Sequence, residues 1–333
     1  MRPMSRLHVL EFIRYADGVW NLPGHFVDEM AAEFPDVTFT AGRDAAHFDE
    51  ALPEAEVVLG WGVTAENFSR AKRLRWVQVT AAGVGPLLFP AMIESPVTIT
   101  NARGLHAISM AEHTLGVILA FARKLHLARD AQLERRWTQD SLWIDPPPYV
   151  DLAGTTLGLV GLGTVGTAVA TRARALGLKV IAVRRHPAAD PAPVDAQWGV
   201  ERLDDLVAAC DWLVLAAPLT RETGGMMDAR RLGLMKKGAI LINLGRGRLV
   251  DETALIAALE AGRIAGAGLD VFEKEPLDTA SPLWAMPNVI VTPHVSGLGP
   301  HYWERAMDIF RGNLAAYREG RPLVNVVDKR AGY

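Results

Sequence analysis

The chain has 333 residues, 50% hydrophobic and 22% charged, with a formal net charge of −3. That length exceeds one comfortable core, so two domains are expected, and the apolar fraction excludes a disordered chain. Lys+Arg 35 against Asp+Glu 38 makes no case for a nucleic-acid partner.

The chain opens with charge scattered through its first apolar run, so no leader peptide is expected there. Leu7–Phe12 reads as a strand, followed by strand-like runs at Val57–Gly60 and Arg75–Thr80. Residues near Asn21–Glu33 and Ala65–Lys72 look helical between them, and this alternation predicts a parallel sheet covered by helices. Ser109–Leu127 carries Met110, Leu115, Val117, Ile118, Leu119, Phe121 and Leu125. Such a helix is apolar around too much of its circumference for a surface position, so it is expected to pack between domains or subunits. No apolar run reaches the roughly 18 residues of a membrane span.

Arg129–Val150, with Trp137, Trp143 and Pro146-Pro147-Pro148, reads as a linker or arm rather than a regular helix or central strand. The alternation then resumes. Strands are predicted at Thr156–Val160, Lys179–Val183, Trp212–Ala216, Ala239–Asn243, Gly266–Val271 and Val289–Thr292, with a helix at Thr164–Leu176. Pro187–Pro193 reads as a loop within this second domain. The one cysteine, Cys210, allows no internal disulfide and suits a reducing cytoplasm.

Gly161-Leu-Gly163-Thr164-Val165-Gly166 fits G-x-G-x-x-G, between a strand and a helix where a dinucleotide-binding loop belongs. The first glycine makes a tight turn, the second admits pyrophosphate to the backbone, and the third lets helix pack on strand. The helix N-terminus then meets the anion with unpaired N–H groups. An NAD site carries an acid at the end of its second strand, but this chain has Arg184-Arg185-His186 and no acid until Asp190. Two guanidinium groups favour a 2′-phosphate, so NADP(H) is expected as the preferred cofactor, with NAD(H) as the alternative.

Three later segments each end an apolar strand with a polar group, on the side where strand ends converge on a ligand. They are Asn243-Leu244-Gly245-Arg246-Gly247, Asp270-Val-Phe-Glu273-Lys-Glu275-Pro276, and Thr292-Pro293-His294-Val-Ser296-Gly297. In this order and spacing they resemble the D-isomer-specific 2-hydroxyacid dehydrogenase family, most closely its glyoxylate/hydroxypyruvate reductase-like branch.

The resemblance implies that Arg246 binds the substrate carboxylate, His294 is the general acid/base, and Glu275 pairs with His294. Each role suits its residue. A guanidinium grips a planar carboxylate with two parallel bonds, an imidazolium protonates an oxygen on which charge develops, and a carboxylate beside it favours that imidazolium. Formate dehydrogenases, which resemble the family, carry Gln in the place of Glu275. The plain alternative for Arg246 is a surface ion pair with Asp251.

Other positions follow from the resemblance. Ala82, Gly83 and Val84 match a loop whose amides meet the substrate carboxylate, and Trp61 could wall the pocket. Asp270 matches a residue that bonds the nicotinamide carboxamide. Pro218, Thr223, Leu244, Gly245 and Gly297 would also line the cofactor. The implied architecture is α/β, two doubly wound parallel-sheet domains, with a Rossmann cofactor domain (102–296) inserted into a flavodoxin-like substrate domain (1–101 and 297–333). The family's homodimer contact would use helix 109–127, and Trp143 would lie in an arm reaching the partner. The expected activity is reduction of a small 2-keto acid of the glyoxylate/hydroxypyruvate class to a D-2-hydroxy acid. Two rivals share the motifs: a dinucleotide-sensing protein like the C-terminal-binding co-repressors, and an oxidation-directed, NAD-dependent formate- or phosphite-type dehydrogenase. Neither an appended disordered tail nor an extra interaction module is expected from this sequence, and Arg184-Arg185 argue against NAD.

Overall fold

A computed structural model describes residues 6–14, 18, 20–187 and 193–332. In chain order the first elements are β1 (Leu7–Phe12), α1 (Gly24–Glu33), β2 (Val37–Ala41), α2 (Ala45–Ala51), β3 (Val57–Gly60), β4 (Trp76–Gln78), α3 (Pro90–Glu94) and β5 (Thr98–Thr100). Next come α4 (Ala107–Ala122), α5 (Leu125–Leu133), α6 (Gln139–Ile144), β6 (Thr156–Val160), α7 (Thr164–Ala175), β7 (Lys179–Val183) and β8 (Ala196–Trp198). The remainder are α8 (Leu203–Ala209), β9 (Trp212–Leu215), α9 (Ala229–Leu234), β10 (Ile240–Asn243), α10 (Glu252–Glu260), β11 (Gly266–Leu269), β12 (Val289–Val291) and α11 (Tyr302–Arg318).

The chain divides into two compact units, Met1–Leu105 with Pro300–Tyr333, and His106–Gly299. The first holds a five-stranded parallel sheet in the order β2-β1-β3-β4-β5, the flavodoxin-like doubly wound order. Its last helix, α11, returns to that sheet. Phe310 and Tyr317 stack on Trp76, and buried Asn313 donates to Gln78 Oε1 at 2.9 Å.

The second unit holds a seven-stranded parallel sheet in the order β12-β11-β10-β9-β6-β7-β8. Its strands alternate between two buried faces. In β9, Leu213 and Leu215 join one apolar cluster while Trp212 and Val214 join the other. That two-sided burial is why these strands read as continuous apolar runs.

Three expectations change. Ala65–Lys72 forms only a short 3-10 turn at Phe68–Arg70. There the Asn67 side chain accepts the Thr64 amide and donates to Gly62 O and Asp49, a local alternative that a helix cannot match. The helix expected over Ser109–Leu127 ends at Ala122, because Lys124 adopts a left-handed conformation with φ 52°. Its Leu115, Val117, Ile118 and Phe121 are buried within its own unit, in one cluster with Val169, Ala170 and Ala173 of α7. The arm contains two regular helices, α5 and α6, since the three prolines break the chain only after Asp145. The buried Lys124 ammonium ties α6 down by donating to the carbonyls of Leu142 and Asp145. The short strands β2, β5 and β8 went unpredicted. Of the Pro187–Pro193 loop, residues 188–192 lie outside the described residues, Asp190 among them. No helix is long and apolar enough to cross a membrane among the described residues.

Candidate active site

In the second unit the strand order reverses between β6 and β9, which creates a ligand crevice at their carboxyl ends. The glycine loop after β6 sits there. Gly161 has φ 100° and gives its amide to Val183 O at 2.9 Å, and a Cβ on it would lie 2.9 Å from the Ala216 backbone. A Cβ on Gly166 would lie 2.2 Å from Gly161 O. Those two glycines are therefore demanded by the protein's own packing. Gly163 is different: a Cβ there would meet no atom within 4 Å. Its bare backbone stands at the start of α7, whose first turn has no side-chain cap. An uncapped helix start behind an open glycine fits a dinucleotide pyrophosphate. Thr164 and Val165 open that helix, and Val165 packs into the core.

Arg184 and Arg185 follow β7 and border the same loop through the Val183–Gly161 bond. The loop after β9 is pinned by Thr223, whose hydroxyl donates to Pro218 O at 2.7 Å. From it, the Glu222 carboxylate stands 3.7 Å from the Arg185 guanidinium. Leu244 lies buried after β10 and gives its amide to Leu215 O at 3.3 Å.

The loop after β10 carries Arg246. Buried Asn243 shapes it, accepting the Gly245 amide and donating to Arg246 O at 3.0 Å. Gly247 then runs against the next strand's loop, where a Cβ would fall 1.8 Å from the Phe272 carbonyl carbon. That approach brings the Arg246 and Glu275 loops together. Arg246 forms no ion pair with Asp251, whose carboxylate instead caps α10. Arg246 itself donates to Gly245 O at 2.7 Å. Its surroundings pull the guanidinium below its ordinary pKa through lost hydration, and Glu275 opposes that pull.

Glu275 uses both oxygens. One accepts the Phe272 amide at 3.0 Å and the other meets His294 Nδ1 at 2.7 Å. His294 stands half-exposed on a left-handed backbone with φ 55°. With Nδ1 held by Glu275, Nε2 is the nitrogen left for a reacting group.

Asp270 anchors the backbone of the loop that carries this imidazole. Its carboxylate, in a residue 1% exposed, accepts the amides of Val295 and Ser296 and the Thr292 hydroxyl. Since Thr292 donates to Asp270, His113 Nε2, 3.2 Å from the Thr292 oxygen, is the protonated nitrogen of its ring. His106 Nδ1 lies 3.0 Å from Gly297 O, and burial, with the charges of Arg246 and His294 as lesser causes, holds its ring below the ordinary imidazole value. Sequence reasoning assigned no role to Asn243, Gly247, Thr292, His113 or His106. The G-R-G spacing and the Thr-Pro-His run were the available signals for Gly247 and Thr292. Nothing in the sequence joined His106 or His113 to loops almost 200 residues away.

In the first unit, Trp61 follows β3 and its buried indole N–H meets no acceptor among the described residues. The loop Ala82-Gly83-Val84 follows β4. The neighbouring carbonyls Ala81 O and Ala82 O accept from the Ala102 amide and the Asn101 side chain. The amides of Ala82, Gly83 and Val84 donate to no described residue. Three consecutive uncommitted amides suit an anion.

Comparison with known proteins identifies a family for the chain. The family model described as "D-isomer specific 2-hydroxyacid dehydrogenase, NAD binding domain" matches residues 115–296. A glyoxylate reductase from Thermococcus kodakarensis is 34% identical over 271 residues, covering 80% of each chain. A D-3-phosphoglycerate dehydrogenase from Methanocaldococcus jannaschii is 33% identical over 306 residues, 90% of this chain but 57% of that one. The present chain thus spans little more than half of that relative. Among solved structures, an NADPH-dependent glyoxylate/hydroxypyruvate reductase from Sinorhizobium meliloti, in complex with NADP and sulfate, superposes with a TM-score of 0.81. The two are 28% identical, with 98% of this chain and 100% of that one covered.

Proposed function

The chain belongs to the D-isomer-specific 2-hydroxyacid dehydrogenase family, and on that premise we propose that it reduces small 2-keto acids of the glyoxylate/hydroxypyruvate class to D-2-hydroxy acids with NADPH. The observation that carries the reading is the 2.7 Å His294–Glu275 pair, set like Arg246 and the glycine loop beyond the carboxyl ends of the sheet's parallel strands.

Bound reduced nicotinamide supplies the hydride. The protein's residues do the rest. Arg246 grips the keto acid's carboxylate by paired bonds and so orients the adjacent carbonyl. His294, as imidazolium with Nδ1 on Glu275, delivers its proton from Nε2 to the oxygen on which negative charge develops. In the first unit this reading gives Trp61 and the amides of Ala82, Gly83 and Val84 to the substrate. In the second it gives Gly161, Gly163, Gly166, Pro218, Thr223, Gly245 and Gly297 to the cofactor, with Arg184 and Arg185 on the 2′-phosphate. The NADP bound by the Sinorhizobium meliloti relative supports that choice.

The same reading places the enzyme in the cytoplasm, where its single thiol would stay inert. Burial pushes Cys210 up to about 12. It also makes the protein a homodimer through segment 109–127 and the adjoining arm, whose Trp137 and Trp143 are 89% and 76% exposed.

The decisive experiment measures initial rates of NADPH and NADH oxidation in parallel on glyoxylate, hydroxypyruvate, pyruvate and phenylpyruvate. Turnover with NADPH on the small keto acids is expected. Nucleotide binding without turnover on any of them would favour the sensing role.

A further inference from the structure

The loop Pro218–Gly224 faces the end of β7 across the glycine loop, and it carries an acid that the strand end lacks. Gly161 fixes this proximity, bonded to Val183 O on one side and abutting the Ala216–Ala217 backbone on the other. Thr220 and Thr223 give the loop a defined shape, with the Thr220 amide on Thr223 Oγ1 at 2.7 Å and Thr223 Oγ1 on Pro218 O. Glu222 is oriented within that turn. Its Oε2 accepts the Thr220 hydroxyl at 2.7 Å and stands 3.7 Å from Arg185 Nη2.

We propose that Glu222 is a cofactor-specificity residue, supplying from the β9 loop the carboxylate that accepts the ribose 2′-hydroxyl of NADH and repels the 2′-phosphate of NADPH. This rests on the dinucleotide reading of the site given above. It makes the adenosine end a site of mixed charge, with Arg185 and Glu222 competing for what stands on the ribose. A 2′-hydroxyl needs an acceptor, and the usual acidic residue at the second strand's end is replaced here by Arg184-Arg185. Glu222 provides an acceptor of the same chemistry from the opposite wall. A 2′-phosphate must instead draw Arg185 away from Glu222 and bear the repulsion of a carboxylate nearby. The bond from Thr220, then Glu222's own backbone amide and, more weakly, the fields of Arg185 and Arg221 hold the Glu222 carboxyl below its ordinary range, so it stays ionised near neutrality.

The test is direct binding. NADPH and NADH are titrated separately into the full-length protein, followed by tryptophan fluorescence, for wild type, Glu222→Gln and Arg185→Ala. Gln keeps an oxygen for Thr220 but loses the charge. An exposed charge contact of this kind is worth a factor of up to about five. Glu222→Gln should therefore weaken NADH roughly three- to five-fold and tighten NADPH by a similar factor. Arg185→Ala should weaken NADPH and leave NADH within about two-fold. An unchanged ratio of the two dissociation constants in Glu222→Gln, or both constants moving the same way, overturns the proposal. Because the readout is binding, failure to reduce any keto acid would count against the proposed reaction alone. A wild-type protein that binds neither nucleotide would overturn both.

Discussion

The carbonyl of Asp270 accepts the amide of His294 at 2.9 Å, while the Asp270 carboxylate holds the next two amides of the same loop. One strand-end residue thus sets the backbone of the proposed proton donor, in a left-handed conformation that a β-carbon resists by about 1–2 kcal/mol. Replacing the carboxylate leaves the Thr292 hydroxyl and two amides without their acceptor, at about 1–3 kcal/mol for each one that stays buried. Asp270→Ala should lower unfolding free energy by roughly 3–5 kcal/mol in urea, and depress kcat more than it raises KM. A loss within about 0.5 kcal/mol would mean the clamp contributes nothing.

Arg246 and Glu275 should fail in different ways. Arg246→Ala removes the carboxylate grip, so kcat/KM for 2-keto acids should drop by about 10², with a raised KM and NADPH affinity retained. Glu275→Gln keeps an acceptor for the Phe272 amide but withdraws the negative charge from His294. Its effect should fall on kcat, by roughly 10², with KM nearly unchanged. Unaltered kinetics in either variant would remove that residue from the site.

Two glycine substitutions separate packing from binding. A methyl group on Gly163 meets no protein atom, so Gly163→Ala should melt within a few degrees of wild type yet bind NADPH at least about ten-fold more weakly. Gly247→Ala drives a Cβ into the Phe272 backbone and must part the two loops. It should destabilise the fold by about 1–3 kcal/mol and lose turnover. Equal nucleotide affinity in Gly163→Ala and wild type would contradict the phosphate cradle.

Stability should fall on mild acidification. His8, His106, His113 and His126 are all held below their ordinary value of 6.5, in each case mainly by burial. The unfolded chain therefore binds protons that the folded chain refuses once pH drops through 6.5, so folding weakens from there towards each lowered value. Each group contributes at most about 1.4 kcal/mol per pH unit within that window. His113→Asn should make the decline between pH 6.5 and 5 shallower, read as melting temperature against pH. A slope equal to wild type would show that His113 titrates alike in both states.

The sequence by itself determined the repeating βα beat, the glycine loop and the three polar strand ends, because each is a local pattern. Period-2 burial on two faces leaves apolar runs that can be read directly, and a glycine demanded by a turn cannot be disguised. Even the family resemblance rests on residues that lie close together in the chain. Local signals misled where a side chain could take over backbone hydrogen bonds, as Asn67 does, or where one residue turns left-handed, as Lys124 does. What only the tertiary structure decided is which distant groups meet. Asp270 closes on the amides after His294, His113 reaches Thr292, His106 meets Gly297, and Glu222 comes opposite Arg185. Those pairings depend on the order in which parallel strands assemble and on loop approaches as close as that of Gly247 to Phe272. Sheet order and close approach come from packing the whole chain at once, and no window of sequence contains them.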